Sequence, residues 1–134
     1  MTGITALLLF AVWTLVLMFI YAGYRIALVL AMKKKANSWT RGQPTDDPPF
    51  ITRASHAHIN CVENLPVFAA IVLAAYALGK VPVVDTVAAW VLYLRIAQSV
   101  THLIGISHWL VFIRGTFFTL QALLYLYMVW GLLN

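Results

Sequence analysis

A chain of 134 residues that is 63% hydrophobic and 10% charged differs from a soluble domain, in which about 25% of residues are charged. Its formal net charge of +5 gathers at the ends of apolar segments, so the positive-inside rule explains it better than nucleic-acid binding does. The single cysteine excludes an intrachain disulfide and leaves no cysteine cluster for a metal.

The first predicted membrane span covers about residues 3–32, and Arg25 is its only charged residue. At ~1.5 Å per residue it is longer than the ~30 Å hydrocarbon core, so we expect its last turns to project and Arg25 to reach the lipid headgroups. The segment is too long for a signal peptide and closes on the lysine run 33–35. Residues 33–52 are polar and contain prolines, which predicts one substantial loop.

Three further spans are predicted at about residues 53–79, 83–106 and 109–133. Pro66 lies inside the second and predicts a bend there. The positive charge concentrates around the first and third connections, so we expect both on the cytoplasmic side and both termini on the opposite side. The fold class is therefore an all-α integral membrane protein, a four-helix up-down transmembrane bundle.

The start of the second span carries a polar stripe. Arg53, His56, Asn60 and Glu63 are spaced i, i+3, i+7 and i+10, which places them on one face of a helix. A carboxylate and an amide near the membrane are costly unless they face protein, water or a ligand. The stripe is therefore the first candidate for a functional site.

A second polar face is predicted in the third span, where Arg95, Gln98 (or Ser99) and His102 follow the same spacing. The second and fourth spans begin on the side where the third span ends, so this face can meet the stripe of the second span and Arg114 of the fourth. Guanidinium groups bind carboxylates in a bidentate manner. The arrangement indicates a pocket near the cytoplasmic boundary for a small anionic, peptide-like ligand.

Other interpretations of these residues remain open. Glu63 and Arg95 can form a structural ion pair between two helices. The histidines can be solvated or bonded to a carbonyl, and His56 and His58 point to different helical faces, so no metal site is predicted. Arg114 can extend to the membrane interface.

The run from His56 to Phe68, His-Ala-His-Ile-Asn-Cys-Val-Glu-Asn-Leu-Pro-Val-Phe, resembles the signature of the MAPEG family, the membrane-associated proteins in eicosanoid and glutathione metabolism. Arg95 and Arg114 occupy corresponding family positions. Chain length, four spans and a basic first loop agree as well, so the resemblance covers essentially the whole chain.

The resemblance implies a homotrimer with glutathione in a groove between neighbouring subunits, near the cytoplasmic side. Asn60 and Glu63 would hold the peptide part of glutathione, and Arg114 would stabilise its thiolate. Arg95 would support the site from below. Lipophilic electrophiles would then reach the thiolate sideways from the bilayer, where the protein also contacts membrane lipids.

The chain departs from the family pattern at several positions. His56 stands where many members carry arginine, and Ile59 replaces another frequently basic residue. His102 stands where several enzymes have tyrosine, and Gly115 where prostaglandin-forming members have serine. Because histidine is only partly charged near pH 7, the carboxylates of glutathione are expected to be held less strongly at residue 56. These departures argue against a specialised eicosanoid synthase.

The first hypothesis is a membrane glutathione-binding protein with transferase or peroxidase activity on hydrophobic electrophiles. The alternative is a non-catalytic lipid-binding or scaffold member of the same family, and a small transporter or channel subunit is a third possibility. Under the first hypothesis Arg114 is the catalytic residue, and the predicted glutathione-binding residues are His56, Asn60, Glu63, Arg95, Gln98 and His102.

Overall fold

The structure is a computed structural model that describes residues 1–134 and contains helices but no strands. The α-helices are α1 (Gly3–Leu30), α2 (Pro49–Ala77), α3 (Val81–Asp85), α4 (Ala88–Ile104) and α5 (His108–Leu133). Four segments are long and apolar enough to cross a membrane, namely α1, α2, α3 with α4, and α5. The predicted all-α class with four spans is confirmed.

The structure departs from the predicted spans mainly at two places. α2 begins at Pro49 instead of Arg53, because proline at the first helical position has a suitable φ and needs no N–H partner there. The predicted third span is divided into α3 and α4. At the division, the Thr86 hydroxyl donates a hydrogen bond of 2.7 Å to the carbonyl of Pro82, which competes with regular helical bonding. α2 nevertheless continues as one helix through Pro66.

The core of the bundle forms where α2 packs against α1 and α4, and α4 against α5. Ala54, Ala57 and Cys61 are buried along one side of α2, and small side chains of this kind allow helices in membranes to approach closely. Further along α2, toward its C-terminal end, the ring of Phe68 lies 6.2 Å from the ring of Phe10. Small residues next to the polar stripe therefore form the side of α2 that packs in the core.

One end of the bundle holds both termini and the turn between α2 and α3. The backbone N–H of Gly3 donates to Oδ1 of Asp85 at 2.6 Å, so a carboxylate sits at the N-terminus of α1, where the helix dipole favours it. The Lys80 ammonium donates to the carbonyl of Leu132 at 3.0 Å. Residues 31–48 and the connection between α4 and α5 therefore lie at the other end, as an up-down bundle requires.

Residues 31–48, the first connection, fold back onto α1 through Asp47. Arg25 donates from Nε at 3.0 Å and from Nη2 at 2.7 Å to Oδ2 of Asp47, whose side chain is 1% exposed. Trp39 donates from Nε1 to the other carboxylate oxygen at 2.9 Å. Arg25, which was expected to extend toward the lipid headgroups, is therefore bound within the chain by a buried carboxylate.

Candidate functional site

The polar stripe of α2 lies on the outside of the bundle. His56 and Glu63 are exposed, and Arg53 and Asn60 are half-buried, while the neighbouring side of the helix enters the core. In the membrane, the exposed stripe must be covered by a ligand, by water or by another protein surface.

The start of α2 and the end of α4 meet, as the sequence predicted. Arg53 donates from Nε to the carbonyl of Leu103 at 2.9 Å. The rings of His56 and His102 lie 6.1 Å apart, and the Nδ1 atom of His102 is buried without a hydrogen-bond partner. His58 faces another direction, with its Nδ1 atom 3.1 Å from the hydroxyl of Tyr21. His56 and His58 therefore lie in different environments, His56 beside His102 and His58 beside Tyr21.

Arg95 is fully buried and makes its contacts inside the chain. Its Nη1 atom donates to Oε1 of Gln98 at 2.5 Å and to the carbonyl of Asn60 at 3.3 Å, and its Nη2 atom donates to Oε1 of Gln121. The two ion pairs of the structure are Arg25–Asp47 and Lys34–Asp46, so the ion pair considered between Glu63 and Arg95 does not form. Glu63 lies on the exposed side of α2, whereas Arg95 points into the core.

Sequence reasoning missed Gln121, which completes this polar network. Its Nε2 atom donates to the hydroxyl of Tyr125 at 2.8 Å and lies 3.5 Å from the carbonyl of Val91. Gln121 is 1% exposed and accepts from Arg95 through its side-chain oxygen. The available signal was an amide in the middle of an otherwise apolar helix, since polar groups at that depth need a partner.

Arg114 is half-buried on α5 and makes no side-chain hydrogen bond or ion pair within the chain. The outward surface that follows it on α5 has a hollow of about 390 Å³, lined by Gly115, Thr116 and Thr119 with two large apolar neighbours. The guanidinium of Arg114 is therefore free for a ligand, in contrast to that of Arg95.

The predicted site residues thus form two groups. Arg95 and Gln98 belong to the buried network, and His102 is buried at its edge. The surface group remains accessible and comprises His56, Asn60, Glu63 and Arg114. His56 and Arg114 lie in the first third of their helices, toward the end that holds the first connection, whereas Glu63 lies at the middle of α2.

Four apolar helices of membrane length define a small multi-pass membrane protein. Within that class, the MAPEG family model matches residues 3–134, and the chain belongs to the MAPEG family. The family includes glutathione transferases and related proteins, and its members commonly use glutathione. No curated protein and no solved structure matches the chain.

Proposed function

We propose that this protein is a membrane glutathione transferase or peroxidase that acts on hydrophobic electrophiles. The observation that carries the proposal is the division between the two groups of polar residues. Asn60, Glu63 and Arg114 are exposed or half-buried at the surface of the bundle, and neither charged side chain among them is paired within the chain. Membership of a family that commonly uses glutathione supplies the ligand class.

The surface group supplies complementary chemistry for glutathione. The Glu63 carboxylate is a partner for the ammonium of the γ-glutamyl residue, and the Asn60 side chain can bond to the peptide groups. Arg114 stabilises the thiolate: a thiol with a pKa of about 8.5 is mostly protonated at pH 7, and a nearby guanidinium lowers that value. The thiolate then attacks the electrophilic centre of a substrate that arrives from the bilayer.

Arg95 and Gln98 support this surface from the core. Arg95 binds the backbone carbonyl of Asn60, so it fixes the turn of α2 that presents Asn60 and Glu63 to the ligand. Gln98 accepts a hydrogen bond from the same guanidinium. His102 lies behind His56 and can donate a hydrogen bond to a group bound there.

A homotrimer completes the site in this proposal. Glu63 is exposed within a helix of membrane length, and a carboxylate facing lipid is costly. A neighbouring copy covers the stripe of α2 and leaves a groove in which glutathione lies between two subunits. The site faces the cytoplasm, because the lysine run 33–35 lies at the same end of the bundle.

One structural feature favours a non-catalytic lipid-binding member of the family as the second candidate. A groove of about 580 Å³ lies between α2 and α5, and all seven residues that line it are hydrophobic. It includes Val67 of α2 and Leu126 of α5. A groove of this chemistry accepts an acyl chain, which is the ligand that a lipid-binding member of the family would hold.

The experiment that tests the proposal measures glutathione binding to the detergent-solubilised protein by calorimetry, together with conjugation of glutathione to a lipophilic aryl halide. We expect binding at millimolar glutathione or below, and binding about tenfold weaker in Glu63→Gln, which loses a charged hydrogen bond. Asp46→Asn is the matched control, since Asp46 pairs with Lys34 in the first connection. Absence of binding at millimolar glutathione overturns the proposal and favours the lipid-binding candidate.

A further inference from the structure

The first connection encloses a polar cavity against the start of α2. This loop cavity has a volume of about 370 Å³, and 2 of its 11 lining residues are hydrophobic. Arg41 contributes from the connection, and Thr52, Ser55 and His56 contribute from α2. The loop cavity therefore adjoins the polar stripe at its His56 end.

The charges around the loop cavity favour an anion. Its lining includes the two guanidinium groups of Arg25 and Arg41 and no aspartate or glutamate. Arg25 is neutralised by Asp47, whereas Arg41 forms no ion pair in the structure. Asp46, the remaining carboxylate of the connection, is bound to Lys34 at 2.5 Å. Arg41 is thus the one uncompensated arginine of the cavity, whose lining also includes the hydroxyl residues Thr45, Thr52 and Ser55.

We infer that Arg41 and His56 bind the glycyl carboxylate of glutathione in the loop cavity. The inference rests on the proposed function and adds a ligand contact from the first connection. It also accounts for the histidine at residue 56: Arg41 supplies a permanent positive charge and His56 supplies a hydrogen bond from the neighbouring helix.

The length of glutathione matches this placement. Glu63 lies about two helical turns beyond His56, which corresponds to ~10 Å at a rise of ~1.5 Å per residue. A tripeptide spans about 10 Å when its residues are extended at ~3.3–3.6 Å each. With its ammonium at Glu63, glutathione therefore reaches the loop cavity with its other end, the glycyl carboxylate.

Contacts within the first connection hold the backbone near Arg41 in place before a ligand binds. Trp39, two residues earlier, is bound to Asp47 at 2.9 Å, and Asp47 is bound to Arg25 of α1. The hydroxyl of Thr40 donates to the carbonyl of Asn37 within the same turn. A connection that is ordered before the ligand arrives loses less conformational entropy on binding.

The test combines a variant with a modified ligand. Calorimetry on the solubilised full chain compares the wild-type protein with Arg41→Gln, using glutathione and its glycyl ethyl ester, which lacks the negative charge of that carboxylate. We expect Arg41→Gln to weaken glutathione binding about tenfold and to change ester binding by less than about twofold. Lys35→Gln, which removes an exposed positive charge of the same connection outside the cavity lining, leaves both affinities unchanged.

A second variant distinguishes a contact from a structural effect. His56→Arg places a guanidinium on α2 beside the same cavity, so it should restore glutathione binding to within about threefold of wild type in the Arg41→Gln protein. Equal weakening of glutathione and its ester by Arg41→Gln overturns the inference, and so does unchanged glutathione binding. In both cases wild-type binding leaves the proposed function intact. A wild-type protein that binds no glutathione refutes both.

Discussion

Arg95 of α4 donates a hydrogen bond of 3.3 Å to the backbone carbonyl of Asn60 on α2, although the carboxylate of Glu63 lies one turn further along the same helix. The guanidinium thus binds a neutral backbone and leaves the carboxylate free. Its other partners are the amide side chains of Gln98 and Gln121. Arg95 and Glu63, which the sequence suggested as an ion pair, therefore lie in separate environments, Arg95 in the core and Glu63 at the surface.

Gln121→Leu should destabilise the bundle. Leucine has a similar size but no acceptor, so Arg95 loses one partner in a fully buried position, at a cost of about 1–3 kcal/mol. The loss of helical circular dichroism on heating in detergent measures the effect. Gln121→Glu keeps an acceptor and adds an opposite charge, so it should unfold at or near the wild-type temperature.

Leu123→Ala serves as the control for this pair of variants, because Leu123 is 55% exposed on the same helix. We expect its unfolding temperature to stay close to that of the wild type. A Gln121→Leu protein as stable as the control contradicts the assigned role of the buried network.

Asp47→Asn should weaken the attachment of the first connection to α1. Its carboxylate accepts two hydrogen bonds from Arg25 in a buried position, and charged hydrogen bonds of this kind contribute about 1.5–3 kcal/mol. The open form of the connection should become about tenfold more populated, so trypsin should cleave after Lys33, Lys34, Lys35 or Arg41 about tenfold faster than in the wild type. Time courses of proteolysis followed by mass spectrometry measure the rate.

Asp46→Asn is the matched control for the release of the connection. The side chain of Asp46 is 73% exposed, and its hydrogen bond from Lys34 lowers its pKa below the ordinary value without fixing a buried group. Solvent weakens such a pair, so cleavage should stay close to the wild-type rate. Equal acceleration by both substitutions is the result that contradicts the anchoring role of Asp47.

Gly131→Ala should disturb the packing of α5 against α3. A Cβ atom at this position lies 2.7 Å from Cγ1 of Val83, which requires the helices or the valine to shift. Overpacking of this kind costs about 1–3 kcal/mol. Thermal unfolding in detergent measures it, and Gly23→Ala is the control, because no atom lies within 4 Å of a Cβ there. If the control is destabilised as much as Gly131→Ala, close packing is not the cause.

If Arg114 stabilises the thiolate as proposed, Arg114→Ala should raise the pKa of the bound glutathione thiol toward the free value of about 8.5, because the proposed site loses its positive charge. At pH 7 the thiolate fraction then falls, and the pH at half-maximal thiolate absorbance moves upward. Arg114→Lys keeps a positive charge without the planar guanidinium, so it should retain part of the thiolate signal. An unchanged absorbance titration in Arg114→Ala removes this residue from the mechanism.

The sequence predicted the spans better than the orientation of their side chains. Runs of apolar residues mark a span because its length must match the bilayer. In a soluble helix, apolar residues mark the core side, but in a membrane both the core side and the lipid side are apolar. Periodicity therefore could not indicate that Arg95 faces the core and Glu63 the surface, or that Gln121 is the partner of Arg95.

The amino-acid sequence alone determined the membrane class and the four spans, because these follow from segment length and apolar composition. Only the tertiary structure decided which polar groups form hydrogen bonds within the chain and which remain available to a ligand. It also brought Arg41 to the same cavity as His56. The rotation of each helix and the path of the first connection depend on contacts between distant residues, such as Arg25 with Asp47, and no local pattern encodes them.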